Sequence, residues 1–141
     1  MTHKTYQVGI FGCGDFLRLM SPGLQKSTRV AVHSLYDPDR SRAEHYAGQL
    51  GGQCVDDQQA ILDNPQIDIV FIFVPPWLRR SLLVPAAETG KHILTTKPLG
   101  PNAEECAAMV QAVESSDIHC GVIYNRTRHE KSETWHERIE T

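Results

Sequence analysis

The chain has no apolar run long enough to cross a bilayer, and no basic-then-apolar leader at its start, where MTHKTYQVGIFG enters a strand almost at once. No membrane role is expected, and the expected location is cytoplasmic. It has no charge excess either. A net charge of −3 and a pI near 6.1 give no electrostatic case for nucleic acid or anionic lipid. Cysteine is sparse and shows no CxxC spacing, so Cys13, Cys54, Cys106 and Cys120 are expected as free thiols, the last two in a core. The 7 histidines are scattered without paired ligand spacing, and no metal is expected. There is no low-complexity segment. What remains is an ordinary globular composition, 40% hydrophobic and 22% charged over 141 residues, enough for one domain with a real core.

Strand-like and helix-like segments alternate along the chain. Strands are expected at Tyr6–Phe11, Val30–Tyr36, around Cys54-Val55, at Ile69–Val74, His92–Thr95 and His119–Tyr124. The run IVFIFV is apolar throughout, as suits a strand covered on both faces of a parallel sheet. Helices are expected from Asp15 to about Ser27, interrupted at Pro22-Gly23, and across DPDRSRAEHYAGQL, where Ser41 and Glu44 have capping-box spacing. Further helices are expected in DDQQAILDNP, at Trp77–Thr89 with Gly90 as stop, and at Asn102–Ser116, again with capping-box spacing to Glu105. The pattern reads as α/β: a Rossmann-type, doubly wound parallel sheet in a single domain over residues 1–124. Residues 125–141 form a charged tail whose large apolar residues are Trp135 and Ile139.

The stretch GCGDFL, Gly12 to Leu17, stands where such a fold binds phosphate. Backbone N–H groups and the helix dipole meet an anion there. Gly12 allows the tight turn and Gly14 allows close approach of a pyrophosphate, with Cys13, Asp15, Phe16 and Leu17 completing the loop. Leu17 replaces the third small residue and is expected to push the helix outward or shift its register. Asp37 ends the second strand, where an acid accepts the ribose hydroxyls of a dinucleotide; it also has the form of a helix cap. An acid there favours NAD, while Arg40 and Arg42 close behind leave NADP open. A methyltransferase fits less well, because Ile10 and Phe11 precede the first glycine and Val74 precedes the Pro-Pro pair. Arg79 and Arg80 read either as a solvated face or as cations reaching an acidic substrate or a phosphate.

The segment from Ile67 to Arg128 carries more. Val74-Pro75-Pro76, Gly90-Lys91-His92, Thr96-Lys97-Pro98-Leu99 and Tyr124-Asn125-Arg126, with GCG and Asp37-Pro38, resemble the glucose-fructose oxidoreductase / inositol dehydrogenase (Gfo/Idh/MocA) family. The resemblance implies an NAD(P)-binding domain, with Val74, Pro75, Pro76 and Pro98 lining the nicotinamide side. It implies Lys97 as the catalytic lysine of a Glu-Lys-Pro motif, serving hydride transfer to or from a sugar or polyol hydroxyl. Thr96 stands in place of the acid, and Arg79 where many members have His. The family's second α/β domain is absent from the 141 residues, so residues 125–141 read as the start of a link to it, and the chain alone as a poor catalyst. The reading from another class is a non-catalytic nucleotide-binding or regulatory module that acts through a partner.

Overall fold

The computed structural model describes residues 3–124. It contains six parallel strands: β1 (Tyr6–Phe11), β2 (Val30–Tyr36), β3 (Gln53–Cys54), β4 (Ile69–Ile72), β5 (His92–Thr96) and β6 (Cys120–Ile123). Between them run α1 (Asp15–Lys26), α2 (Arg40–Leu50), α3 (Gln59–Leu62), α4 (Pro76–Glu88) and α5 (Ala103–Glu114). The strand order is β3-β2-β1-β4-β5-β6, all parallel. The order reverses between β1 and β4, and the crevice beyond that point is where ligands bind in sheets of this kind.

Side-chain alternation builds two cores from one sheet. On β4, Val70 and Ile72 join the cluster under α3, α4 and α5, with Ile61, Leu82, Leu83 and Met109. Phe71 between them faces the other cluster, with Leu17, Ala43, Tyr46 and Ala47 from α1 and α2. This is the period-2 alternation of a strand covered on both faces, which is why IVFI reads as apolar throughout.

The structure corrects several expectations. Helix α1 is not interrupted at Pro22-Gly23. Proline denies the Arg18 carbonyl its usual i+4 donor, and the neighbouring Ser21 hydroxyl donates to that carbonyl at 3.1 Å. Helix α2 is capped by Asp39, not Ser41: the Asp39 carboxylate accepts the Ser41 N–H at 3.1 Å. Strand β4 stops at Ile72, and α4 begins at Pro76, whose missing N–H suits a first turn. Cys106 and Cys120 are only half-buried. Among the described residues all four cysteines are free thiols, and no helix is long and apolar enough to cross a membrane. The tail at 125–141 lies outside the described residues.

Candidate functional site

The glycine turn joins β1 to α1 at the mouth of that crevice. Gly12 has φ 93°, and a side chain there would stand 2.7 Å from the Phe73 carbonyl oxygen, so both backbone conformation and space demand glycine. Its N–H donates to the Tyr36 carbonyl at 2.9 Å, which ties the turn to the end of β2.

Gly14 is a different case. Its φ of −94° suits any residue, and apart from its immediate chain neighbours no atom lies within 4 Å of where a Cβ would be. No side chain caps α1 there. The N–H groups of Asp15, Phe16 and Leu17 open the helix and have no acceptor within it. An open space thus sits over a set of oriented donors, and its chemistry fits a phosphate group. Asp15 does not occupy it, being turned to Arg18 at 3.3 Å in an exposed pair.

Asp37 anchors this corner. One carboxylate oxygen accepts the Cys13 N–H at 2.8 Å and the other accepts the Asp39 N–H at 2.8 Å. It therefore fixes the glycine turn to the β2–α2 turn while keeping lone pairs for a hydroxyl. Cys13 itself is buried. Burial first, and the Asp37 charge second, push its thiol up to about 12, so it is no nucleophile at neutral pH. Phe16 packs edge-on against Phe73 with ring centroids 4.8 Å apart, joining the start of α1 to the end of β4. Leu17 is wholly buried among Ala43, Tyr46 and Ala47. The two alanines lie one turn apart on α2, and Leu17, in the same buried cluster, is a core residue.

A cleft of about 690 Å³ brings together Gly12, Gly14, Asp37, Val74, Pro75 and Pro76. Arg42 and Gly14 line both this cleft and a neighbouring one of about 450 Å³ that also reaches Ser41 and His45. The two arginines behind Asp37 part company. Arg40 turns to Glu44 and Asp56, whereas Arg42 stays at the cleft and pairs with Asp39 at 3.3 Å. Lys97 and Pro98 do not line the cleft. Both are exposed at the end of β5, joined by a cis peptide bond, and the Lys97 N–H donates to the Ile123 carbonyl at 3.2 Å.

Arg79 is the residue whose part the sequence reading missed. It is neither solvated nor turned to solvent for a ligand: it is 2% exposed. One guanidinium nitrogen donates to the carbonyls of Thr96 and Pro98, and more weakly to Leu99 at 3.4 Å. The other donates to the Val74 carbonyl at 3.0 Å and the Thr96 hydroxyl at 2.7 Å. Burial lowers its pKa, but a guanidinium keeps its charge. The signal was in the spacing. Arg79, Leu82, Leu83, Ala86 and Ala87 form the buried stripe of α4 at helical periodicity, and Arg80 falls off it, exposed and paired with Glu105 at 2.8 Å. Trp77, in the first turn of α4, is 69% exposed.

The profile of an oxidoreductase family with an NAD-binding Rossmann fold, GFO_IDH_MocA, matches residues 6–124. Over 108 residues the chain is 31% identical to dTDP-3,4-didehydro-2,6-dideoxy-alpha-D-glucose 3-reductase of Saccharopolyspora spinosa, covering 76% of this chain and 32% of that protein. Over 91 residues it is 35% identical to scyllo-inositol 2-dehydrogenase (NAD(+)) of Bacillus subtilis, covering 64% of this chain and 27% of that one. Its fold matches a crystal structure of KijD10, a 3-ketoreductase from Actinomadura kijaniata in complex with NADP, with a TM-score of 0.87 at 21% identity, over 97% of this chain and 44% of that one. The chain thus spans about a third of the length of the curated relatives it matches.

Proposed function

The chain belongs to the Gfo/Idh/MocA oxidoreductases and carries their NAD(P)-binding domain, and we propose that it supplies the cofactor half of an enzyme acting on a sugar or polyol hydroxyl. The observation that carries this reading is the open space at Gly14 over the first turn of α1. Nothing in the protein's own packing or backbone requires glycine there; room for a pyrophosphate does.

The roles follow from position. The N–H groups of Asp15, Phe16 and Leu17 hold the pyrophosphate, and Gly12 sets the turn. Cys13 contributes through its backbone: its N–H is held by Asp37, which shapes the loop. The Asp37 carboxylate accepts the adenosine ribose hydroxyls. Val74, Pro75 and Pro76 share the cleft with Asp37 and line its nicotinamide side. Lys97 and Pro98 lie beyond, at the C-terminal end of β5, where the reacting groups belong in this fold. When bound, the dinucleotide supplies a hydride acceptor or donor. Lys97 then orients the substrate oxygen and favours the negative charge that develops on it.

NAD is the preferred cofactor on this reading, because Asp37 repels a 2′-phosphate. Arg42 at the same cleft is the group that would admit NADP. The relatives named above include one that takes NAD(+) and one crystallised with NADP. Four free thiols suit a reducing, cytoplasmic setting. Thr96, where the motif has an acid, is a feature that favours the alternative, a nucleotide-binding module without turnover.

Calorimetric titration with NADH and NADPH tests the reading. Wild type binds NADH with a micromolar Kd or tighter. Gly14→Ala loses at least about tenfold in affinity while its stability changes by less than about 1 kcal/mol. A folded wild-type chain that binds neither cofactor overturns it.

A further inference from the structure

The guanidinium of Arg79 joins two walls that the sequence keeps apart. On one side is the Val74 carbonyl, in the turn that lines the nucleotide cleft. On the other are the Thr96 and Pro98 carbonyls, which flank Lys97, and the Thr96 hydroxyl. Arg79 is 2% exposed, and among the described residues no carboxylate pairs with it. A buried cation without an anion is an expensive way to hold a helix against a sheet; apolar stripe residues such as Leu82 and Leu83 do that already. What the guanidinium adds is a planar fork that reaches several acceptors in fixed directions, which neither an apolar side chain nor a lysine can do.

We propose that Arg79 is a positioning residue: by gathering the carbonyls on both sides of Lys97 and the Val74 carbonyl into one fork, it fixes the Lys97–Pro98 turn relative to the wall of the nucleotide cleft. Thr96 takes part as the acceptor that fits beside the guanidinium, at the position where the Glu-Lys-Pro pattern has an acid. The inference rests on the reading of Lys97 given above only for its consequence; the clamp itself is a matter of geometry.

The test is NMR of the uniformly 15N-labelled full chain, following the Lys97 amide, with NADH as the probe. That amide is held by the Ile123 carbonyl and reports the turn directly. In Arg79→Lys the charge is kept and the fork is lost. The Lys97 amide then shifts or broadens in the free chain and exchanges with solvent faster, and its response to NADH falls by half or more. NADH affinity falls less than it does in Asp37→Ala, because Arg79 lines the cleft but shares no partner with Asp37 or the first turn of α1. A folded Arg79→Lys chain with an unchanged Lys97 amide and an unchanged NADH response overturns the proposal. If Arg79→Lys fails to fold, Thr96→Val decides. It removes one of the acceptors and nothing else, and an unchanged Lys97 amide there overturns the proposal equally. A wild-type chain whose Lys97 amide ignores saturating NADH refutes the role assigned to Lys97, while the free-chain signals of the variants still judge the clamp.

Discussion

Two corners of this domain are built on opposite chemistry. At the glycine turn an acid, Asp37, collects backbone donors: the N–H groups of Cys13 and Asp39. At the lysine turn a base, Arg79, collects backbone acceptors: the carbonyls of Val74, Thr96 and Pro98. Each charged side chain ties two turns together at the C-terminal edge of the sheet. The difference lies in what is left over. Around Asp37 the first turn of α1 keeps its N–H groups pointing outward, so that corner attracts an anion. Around Arg79 the carbonyls are taken up by the guanidinium, and although Arg79 also lines the cleft, that corner serves to hold Lys97 in place. Binding and positioning are thus separated between the two anchors.

The contrast can be broken most forcefully at the base. Arg79→Met leaves the Val74, Thr96 and Pro98 carbonyls without their donor, and a loss of about 4 kcal/mol is expected in urea denaturation, with the m-value unchanged. Gly12→Ala attacks the other corner through the backbone. A positive φ and a contact with the Phe73 carbonyl both oppose a side chain, and a loss of about 3 kcal/mol is expected from the same measurement. Asp37→Ala removes two charge-assisted bonds from a half-buried site. It should lower stability by about 2 kcal/mol, and calorimetry should show NADH binding weakened while the preference over NADPH narrows. If Arg79→Met weakened NADH as much as Asp37→Ala, the division between binding and positioning would be wrong.

The smallest effect concerns pH. The Cys13 thiol is neutral in both folded and unfolded chains below its ordinary value of 9.0, so it contributes nothing to stability there. Above that the unfolded chain ionises and the folded one, with its thiol held up to about 12, does not. Stability therefore falls as pH rises past about 9. Thermal unfolding of wild type and Cys13→Ala between pH 7 and pH 10 should diverge by about 1 kcal/mol at the top of that range. A Cys13 thiol alkylated at pH 8 as fast as a free cysteine would show that the turn opens readily.

How far the sequence could be read follows from the range of the interactions involved. Alternating strands and helices are written in local periodicity, so the element order was legible and only boundaries moved. The corrections to α1 and α2 share one cause, a polar side chain serving a nearby backbone group. Ser21 covers the carbonyl that Pro22 leaves open, and Asp39 caps α2 before Ser41 can. Lys91 is a further instance, a buried ammonium that donates to the Asn64 and Ile67 carbonyls at 2.7 and 3.1 Å. Its burial lowers its pKa, and nothing in GKH announces that.

By itself the sequence determined the parallel α/β architecture, the glycine turn, the acid at the end of β2 and the family. Each rests on side-chain identities at short or fixed spacing. Only the tertiary structure decided that Gly14 faces open space while Gly12 is hemmed in by Phe73, that Leu17 is core, and that Arg79 is a buried clamp. The physical reason is common to all three. The partners are backbone atoms or volumes brought together by strand pairing, and Arg79 finds its acceptors 17 and 19 residues away. Every residue carries a carbonyl, so no letter in a sequence marks the one that a distant arginine will reach.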